Sequence, residues 1–231
     1  MSITVFGSCR VFYVYNNNNL NHLINFTHST KEVIQQIKFL MGELSLPYPL
    51  NILCFRTGII DNQPIIYNSE FKKMYDESKY CIVEICSDKV YKYDSYYLHH
   101  LSVDPRFSGF HTNTPKQILD DHKCIKQSPS EIEDDIVAIK KLIAPKTLVL
   151  VTHYNSKINE EYIPSRNNLI NLLTDISKKY NILIINPTEI LKEFDQELLM
   201  TDDLAHYTSF GKTVFTRYLN EFMNQLHVSK N

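Results

Sequence analysis

Two short blocks of this sequence carry residues that could do covalent chemistry together. Near the start, an apolar stretch runs into Gly7-Ser8-Cys9-Arg10. Near the other end stands Asp203-Leu204-Ala205-His206. A thiol or hydroxyl, an imidazole and a carboxylate are the parts of a nucleophilic triad. The imidazole takes the nucleophile's proton, and the carboxylate fixes its tautomer and steadies its cation. A nucleophile at a strand–turn–helix junction also sits near backbone N–H groups that can receive an oxyanion, and near a helix dipole that favours negative charge. Cys9 or Ser8 is then the nucleophile, with Cys9 preferred, His206 the base and Asp203 its orienting acid. A thiol beside a helix N-terminus and a histidine should have a lowered pKa and accumulate thiolate. The plain alternative is a tight turn at 7–9, a small apolar Cys9 and a surface histidine.

Other constellations carry less. His99-His100, His111, His122 and His153 follow no compact zinc spacing, and His-Glu-x-x-His is absent. They read as surface or lid residues, and no metal site is expected. Glu84 falls in an apolar run, so burial requires a partner, with Lys89 or Arg56 as candidates. Arg10 is suited to a substrate carboxylate or phosphate, or to a surface acid. Neither Gly-x-Gly-x-x-Gly nor a P-loop occurs, which removes the central feature of a dinucleotide-binding or NTPase reading.

The elements that must position these residues are legible as patterns. Five apolar runs, 3–7, 51–55, 80–86, 147–152 and 181–185, lack the alternation of half-exposed strands and suit a sheet buried on both faces. Helical periodicity falls between or after them at 30–44, 69–77, 129–142, 164–179 and 208–226. Alternating strands and helices predict a three-layer α/β/α sandwich around a flavodoxin-like, five-stranded parallel sheet. Its strand ends would gather 7–9, 56–58, 87–89 and 153–155 on one rim, where such folds keep their sites. The four-Asn tract 16–19 reads as a surface loop. The Tyr- and His-rich stretch 91–130 reads as a partly helical insertion, a lid or substrate wall, within a single domain spanning 1–231.

Composition bounds the rest. Lys+Arg is 24 and Asp+Glu 26, so no broad basic surface for nucleic acid is expected. No apolar run is long enough to span a bilayer, and no secretory leader pattern is visible. Five cysteines without a framework spacing fit a reduced, cytoplasmic setting.

The two chemical blocks resemble those of the SGNH/GDSL hydrolases. Members open with a strand leading to Gly-Asp-Ser and close with Asp-x-x-His, a small or polar pair, Gly and a final helix. Here the opening is Val5-Phe6-Gly7-Ser8-Cys9. The closing block runs from Asp203 through His206 and Gly211 to Lys212. The resemblance implies an esterase or acyl hydrolase acting on an ester or thioester, O-acetyl groups on a small-molecule or glycan substrate first. Hydrolysis would need no cofactor. The Gly-Ser-Cys start is similar to divergent, capsule-biosynthesis branches that bind coenzyme A, so a coenzyme-A-dependent acyltransferase is the sister reading, and a non-catalytic binding module the third. With Gly7 as anchor, the family's nucleophile falls on Cys9, or on Ser8 if the motif is slipped by one. The family's oxyanion Gly would correspond to Gly58. Its Asn block has no counterpart after the third run, leaving Asn155 or Ser87 for that role.

Overall fold

The computed structural model describes residues 2–12 and 26–228. The 16–19 tract lies outside them. In chain order the strands are β1 (Ile3–Phe6), β2 (Tyr80–Ile85), β3 (Lys89–Tyr93), β4 (Tyr96–Leu98), β5 (Lys123–Lys126), β6 (Thr147–Thr152), β7 (Lys157–Ile158), β8 (Glu161–Tyr162) and β9 (Leu183–Ile185). The α-helices are α1 (Cys9–Phe12), α2 (Thr30–Leu40), α3 (Leu50–Leu53), α4 (Arg56–Asp61), α5 (Ser69–Glu77), α6 (Lys116–Asp121), α7 (Pro129–Leu142), α8 (Pro164–Tyr180), α9 (Pro187–Ile190), α10 (Gln196–Leu199) and α11 (Ser209–Val228).

Strands β1, β2, β6 and β9 form one parallel sheet in that order. The register sets Ile3 beside Tyr80, Tyr80 beside Thr147 and Val149 beside Leu183. Alternate side chains feed opposite faces. Phe6, Cys81, Val83 and Leu150 meet Val33, Ile37, Ile136 and Leu173 from α2, α7 and α8. Val5, Ile82, Val149 and Val151 meet Val214, Phe215 and Leu219 from α11. Burial on both faces explains the unbroken apolar runs and gives three layers. Helix starts follow local chemistry. Ser29 with Glu32, and Ser128 with Glu131, form capping boxes ahead of α2 and α7.

The sheet has four described strands rather than five. The run 51–55 is helical: Leu50–Leu53 forms α3, and Arg56 opens α4. Leu50, Ile52, Leu53, Cys54 and Phe55 are all buried, so the run shows no exposed face to betray its period. The free side of β1 is instead met by a parallel bridge from Phe26 to Gly7, reinforced by Thr27 N–H donating to the Gly7 carbonyl at 3.1 Å.

The stretch 91–130 also differs from expectation. It contributes to a three-stranded antiparallel sheet ordered β4–β3–β5, with 3-10 turns at His100–Ser102 and Pro105–Asn113 between β4 and β5. Leu98 and Val103 are buried in the main core, and His99 N–H donates to the Leu53 carbonyl at 3.0 Å. The stretch is therefore a fixed wall of the body. Among the described residues, no helix is long and apolar enough to cross a membrane.

Candidate active site

The carboxyl ends of the parallel strands face a cavity of about 560 Å³. Cys9 and Arg10 reach it from the end of β1, Cys86 and Ser87 from β2, His153 from β6, and Ala205 and His206 from the loop before α11. The beginning and end of the chain thus meet on one rim.

That loop is closed around Asp203. One carboxylate oxygen, Oδ1, accepts from Ala205 N–H at 2.8 Å, His206 N–H at 3.0 Å and the Thr201 hydroxyl at 2.7 Å. The other, Oδ2, lies 2.5 Å from His206 Nδ1. Burial works against ionisation of Asp203, but the Ala205 N–H, the His206 ring and the Thr201 hydroxyl outweigh it and hold the carboxyl well below the usual carboxylate range. With Nδ1 bound to a carboxylate, Nε2 is the nitrogen left to take a proton.

The opening motif is anchored by a different acid. Ser8 is buried, and its N–H and hydroxyl both donate to Glu84 Oε2, at 2.7 and 2.6 Å. Arg10 Nε donates to Glu84 Oε1 at 3.0 Å, and Arg10 Nη1 to the Ala205 carbonyl at 2.7 Å. Glu84 therefore pairs with Arg10, not with Lys89 or Arg56, and Arg10 is a buried strut. Its fork joins β2 to the residue preceding His206, a geometry that a guanidinium can satisfy and an ammonium cannot.

The cavity is lined by Cys9 and not by Ser8. The expected thiolate does not follow. Burial pushes the Cys9 thiol up and Glu84 adds to the rise, while Arg10, Arg56 and Lys212 only partly oppose it.

Of the remaining expected residues, Ser87 lines the cavity, its hydroxyl accepting from Lys89 N–H at 3.0 Å. Gly58 and Asn155 are not among the lining residues. Gly58 sits inside α4, where a Cβ would meet the Ile52 carbonyl oxygen at 2.7 Å; its absent side chain lets α4 pack on α3. Asn155 is buried, with its N–H donating to Thr188 Oγ1 at 2.7 Å and its side-chain amide donating to Asn167 Oδ1 at 3.3 Å.

The histidines are less dispersed than their spacing suggests. His99, His100 and His153 line the cavity together with His28, which the sequence pattern does not single out. His99 and His153 are buried, contrary to a surface or lid role. The His28, His99 and His100 rings pack together, with centroid separations of 4.2 to 5.0 Å. Burial lowers the pKa of all three, and for His100 the value falls to about 4. Neutral imidazoles are metal-competent in kind, and one ligand atom from each lies within 4.8 Å of the others.

Comparison with known proteins bears on this arrangement. A relative, the Vi polysaccharide biosynthesis protein TviD of Salmonella typhi, is 23% identical over 96% of this chain. The chain spans about a third of that relative's length, 32%. Among solved structures, a lipase/acylhydrolase from Enterococcus faecalis is similar with a TM-score of 0.48 and 8% identity, covering 95% of this chain and 93% of the other. An acetylxylan esterase from Geobacillus stearothermophilus, a catalytic mutant of Axe2, gives a TM-score of 0.42 and 15% identity over the same shares. The family model described as the TviD N-terminal domain matches residues 1–117 and again 104–221. The chain belongs to the family of TviD N-terminal domains.

Proposed function

We propose that this chain cleaves or transfers acyl groups on a glycan, O-acetyl esters first, with Cys9 as nucleophile, His206 as base and Asp203 as the acid that orients it. The observation that carries this reading is that Cys9 and His206 line one cavity while Asp203 holds His206 by Nδ1. The glycan is suggested by the relative, whose name assigns it to polysaccharide biosynthesis.

Because Cys9 rests as a thiol, its proton leaves as sulfur attacks the acyl carbonyl, passing to His206 Nε2. Collapse of the tetrahedral adduct expels the sugar oxygen, which takes that proton back, and leaves an acyl thioester on Cys9. Water, or an acceptor hydroxyl deprotonated by His206, then attacks the thioester and restores the thiol. Hydrolysis needs no cofactor. Transfer would begin instead from an acyl donor such as an acyl-coenzyme A thioester, which leaves as the coenzyme A thiol and whose phosphates suit the basic residues of the cavity, Arg56 and Lys89 among them. Ser8 is a weaker nucleophile candidate, since its hydroxyl proton is committed to Glu84.

The test combines labelling with turnover. Cys124 is exposed and would consume iodoacetamide, so a Cys124→Ser background is required. In it, Cys9 should be alkylated and then inert. Cys9→Ala and His206→Ala should each lower turnover of a short-chain acyl ester by about 10³-fold or more with the fold intact. Full activity in Cys9→Ala, with loss in Ser8→Ala, would overturn the assignment of the nucleophile.

A further inference from the structure

The charge of the cavity is one-sided. Arg10, Arg56, Lys89, Arg106, Lys126 and Arg166 line it, against the carboxyl groups of Glu32 and Asp88. Carboxylates already hold three of the cations: Glu84 holds Arg10, Asp104 holds Arg106 at 2.6 Å, and Asp88 holds Lys126 at 3.4 Å. Arg56, Lys89 and Arg166 pair with no carboxylate among the described residues. The Arg56 guanidinium is fixed by stacking, 4.7 Å from the Phe26 ring centroid. Glu32 offsets only part of this charge. Its Oε2 accepts the N–H groups of His28 and Ser29, and burial pushes its pKa up to about 7.

On the cavity that Arg56 lines, and within reach of its charge, stands a donor with nothing to bind. Leu101 N–H donates to His99 Nδ1 at 3.3 Å, so the neutral ring carries its own proton on Nε2. That Nε2 is buried and has no partner, in a residue 1% exposed. A buried N–H without an acceptor is costly until an acceptor arrives. A volume of about 560 Å³ suits a ligand of sugar or nucleotide size.

We propose that the Arg56–His99 end of the cavity is an anion subsite, seating a carboxylate or phosphate carried by the glycan or by the acyl donor. The proposal rests on the acyl-chemistry reading above and extends it to the charge of the substrate. A divalent metal on His28, His99 and His100 is the competing occupant. Two features oppose it: the protonated Nε2 of His99 cannot ligate, and the Arg56 charge would repel a dication.

Isothermal titration calorimetry on the full chain carrying His206→Ala separates these occupants. The probes are trigalacturonate, the neutral galactotriose, adenosine 3′,5′-bisphosphate and zinc chloride. At least one anionic probe should bind about tenfold or more tightly than galactotriose, and added sodium chloride should weaken it. Arg56→Gln should abolish that preference, and Lys89→Gln, at an exposed position, should reduce it severalfold even if Arg56→Gln misfolds. Preference for trigalacturonate puts the charge on the glycan; preference for the bisphosphate puts it on the donor. Equal binding of charged and neutral probes, or indifference to both substitutions, overturns the subsite. So does one equivalent of zinc bound through His99, lost in His99→Asn, without anion binding. Ester turnover by the unsubstituted chain is read separately, so failure of the triad and failure of the subsite give different results.

Discussion

Arg10 joins the two halves of the site. Its side chain is 7% exposed, its partner Glu84 1%, and the same guanidinium reaches the carbonyl next to His206. Removing one member of such a pair strands a buried charge. Arg10→Ala should therefore cost about 3–5 kcal/mol, read by urea unfolding. Arg10→Lys should recover part of that stability. It should still lower turnover, because one ammonium cannot span Glu84 and Ala205 with the same fork. Sequence reasoning names Arg10, Glu84 and Asp203 as charged residues of interest, and the Asp203–His206 spacing alone suggests their pairing. The partner of Glu84 is not legible: Arg10 is 74 positions away, whereas Lys89 is a nearer candidate in the chain.

At the scale of elements, the closing helix depends on a residue with no side chain. A Cβ on Gly211 would meet the Leu199 carbonyl oxygen at 2.2 Å, a backbone atom that cannot swing aside. The same carbonyl accepts Thr208 N–H at 2.9 Å, fixing the start of α11 against α10. Gly211→Ala should push these helices apart at a cost of about 1–3 kcal/mol, measured by thermal unfolding. Turnover should fall with it, since the Asp203–His206 loop hangs between them. The closing helix and its glycine stand out in the sequence through amphipathic period and position. The helices at 50–61 do not, because a short run buried on every side has the same composition as a core strand. Gly58 follows from that error. As a helix residue it serves packing, not the rim.

Across the whole molecule, burial keeps an unusual set of imidazoles neutral: His28, His99, His100 and His153, drawn from three separate segments, all have lowered pKa values. The unfolded chain protonates such groups near pH 6.5, but folded His100 resists until about pH 4. The unfolded state then binds more protons, so the stability supplied by His100 is complete above pH 6.5 and disappears as pH falls to about 4. Glu32 has the opposite sign. Its pKa rises from 4.5 to about 7 on folding, so its contribution is complete below pH 4.5 and is lost as pH rises through 7. Unfolding free energy followed by urea titration should decline less steeply toward acid in His100→Asn. In Glu32→Gln the decline should steepen, because an opposing slope has been removed.

The sequence by itself determined the parallel α/β/α plan. It also marked the two blocks that could hold a nucleophile and its base, because hydrophobic period and local spacing are written in neighbouring residues. Only the tertiary structure decided what surrounds them: Ser8 bound to Glu84, the thiol kept protonated by burial, Gly58 and Asn155 off the cavity lining, and His28 gathered with His99 and His100 on the cavity that Arg56 lines. The reason is physical. Desolvation and ion pairing depend on which groups share a small volume, and that is set by the meeting of segments far apart along the chain.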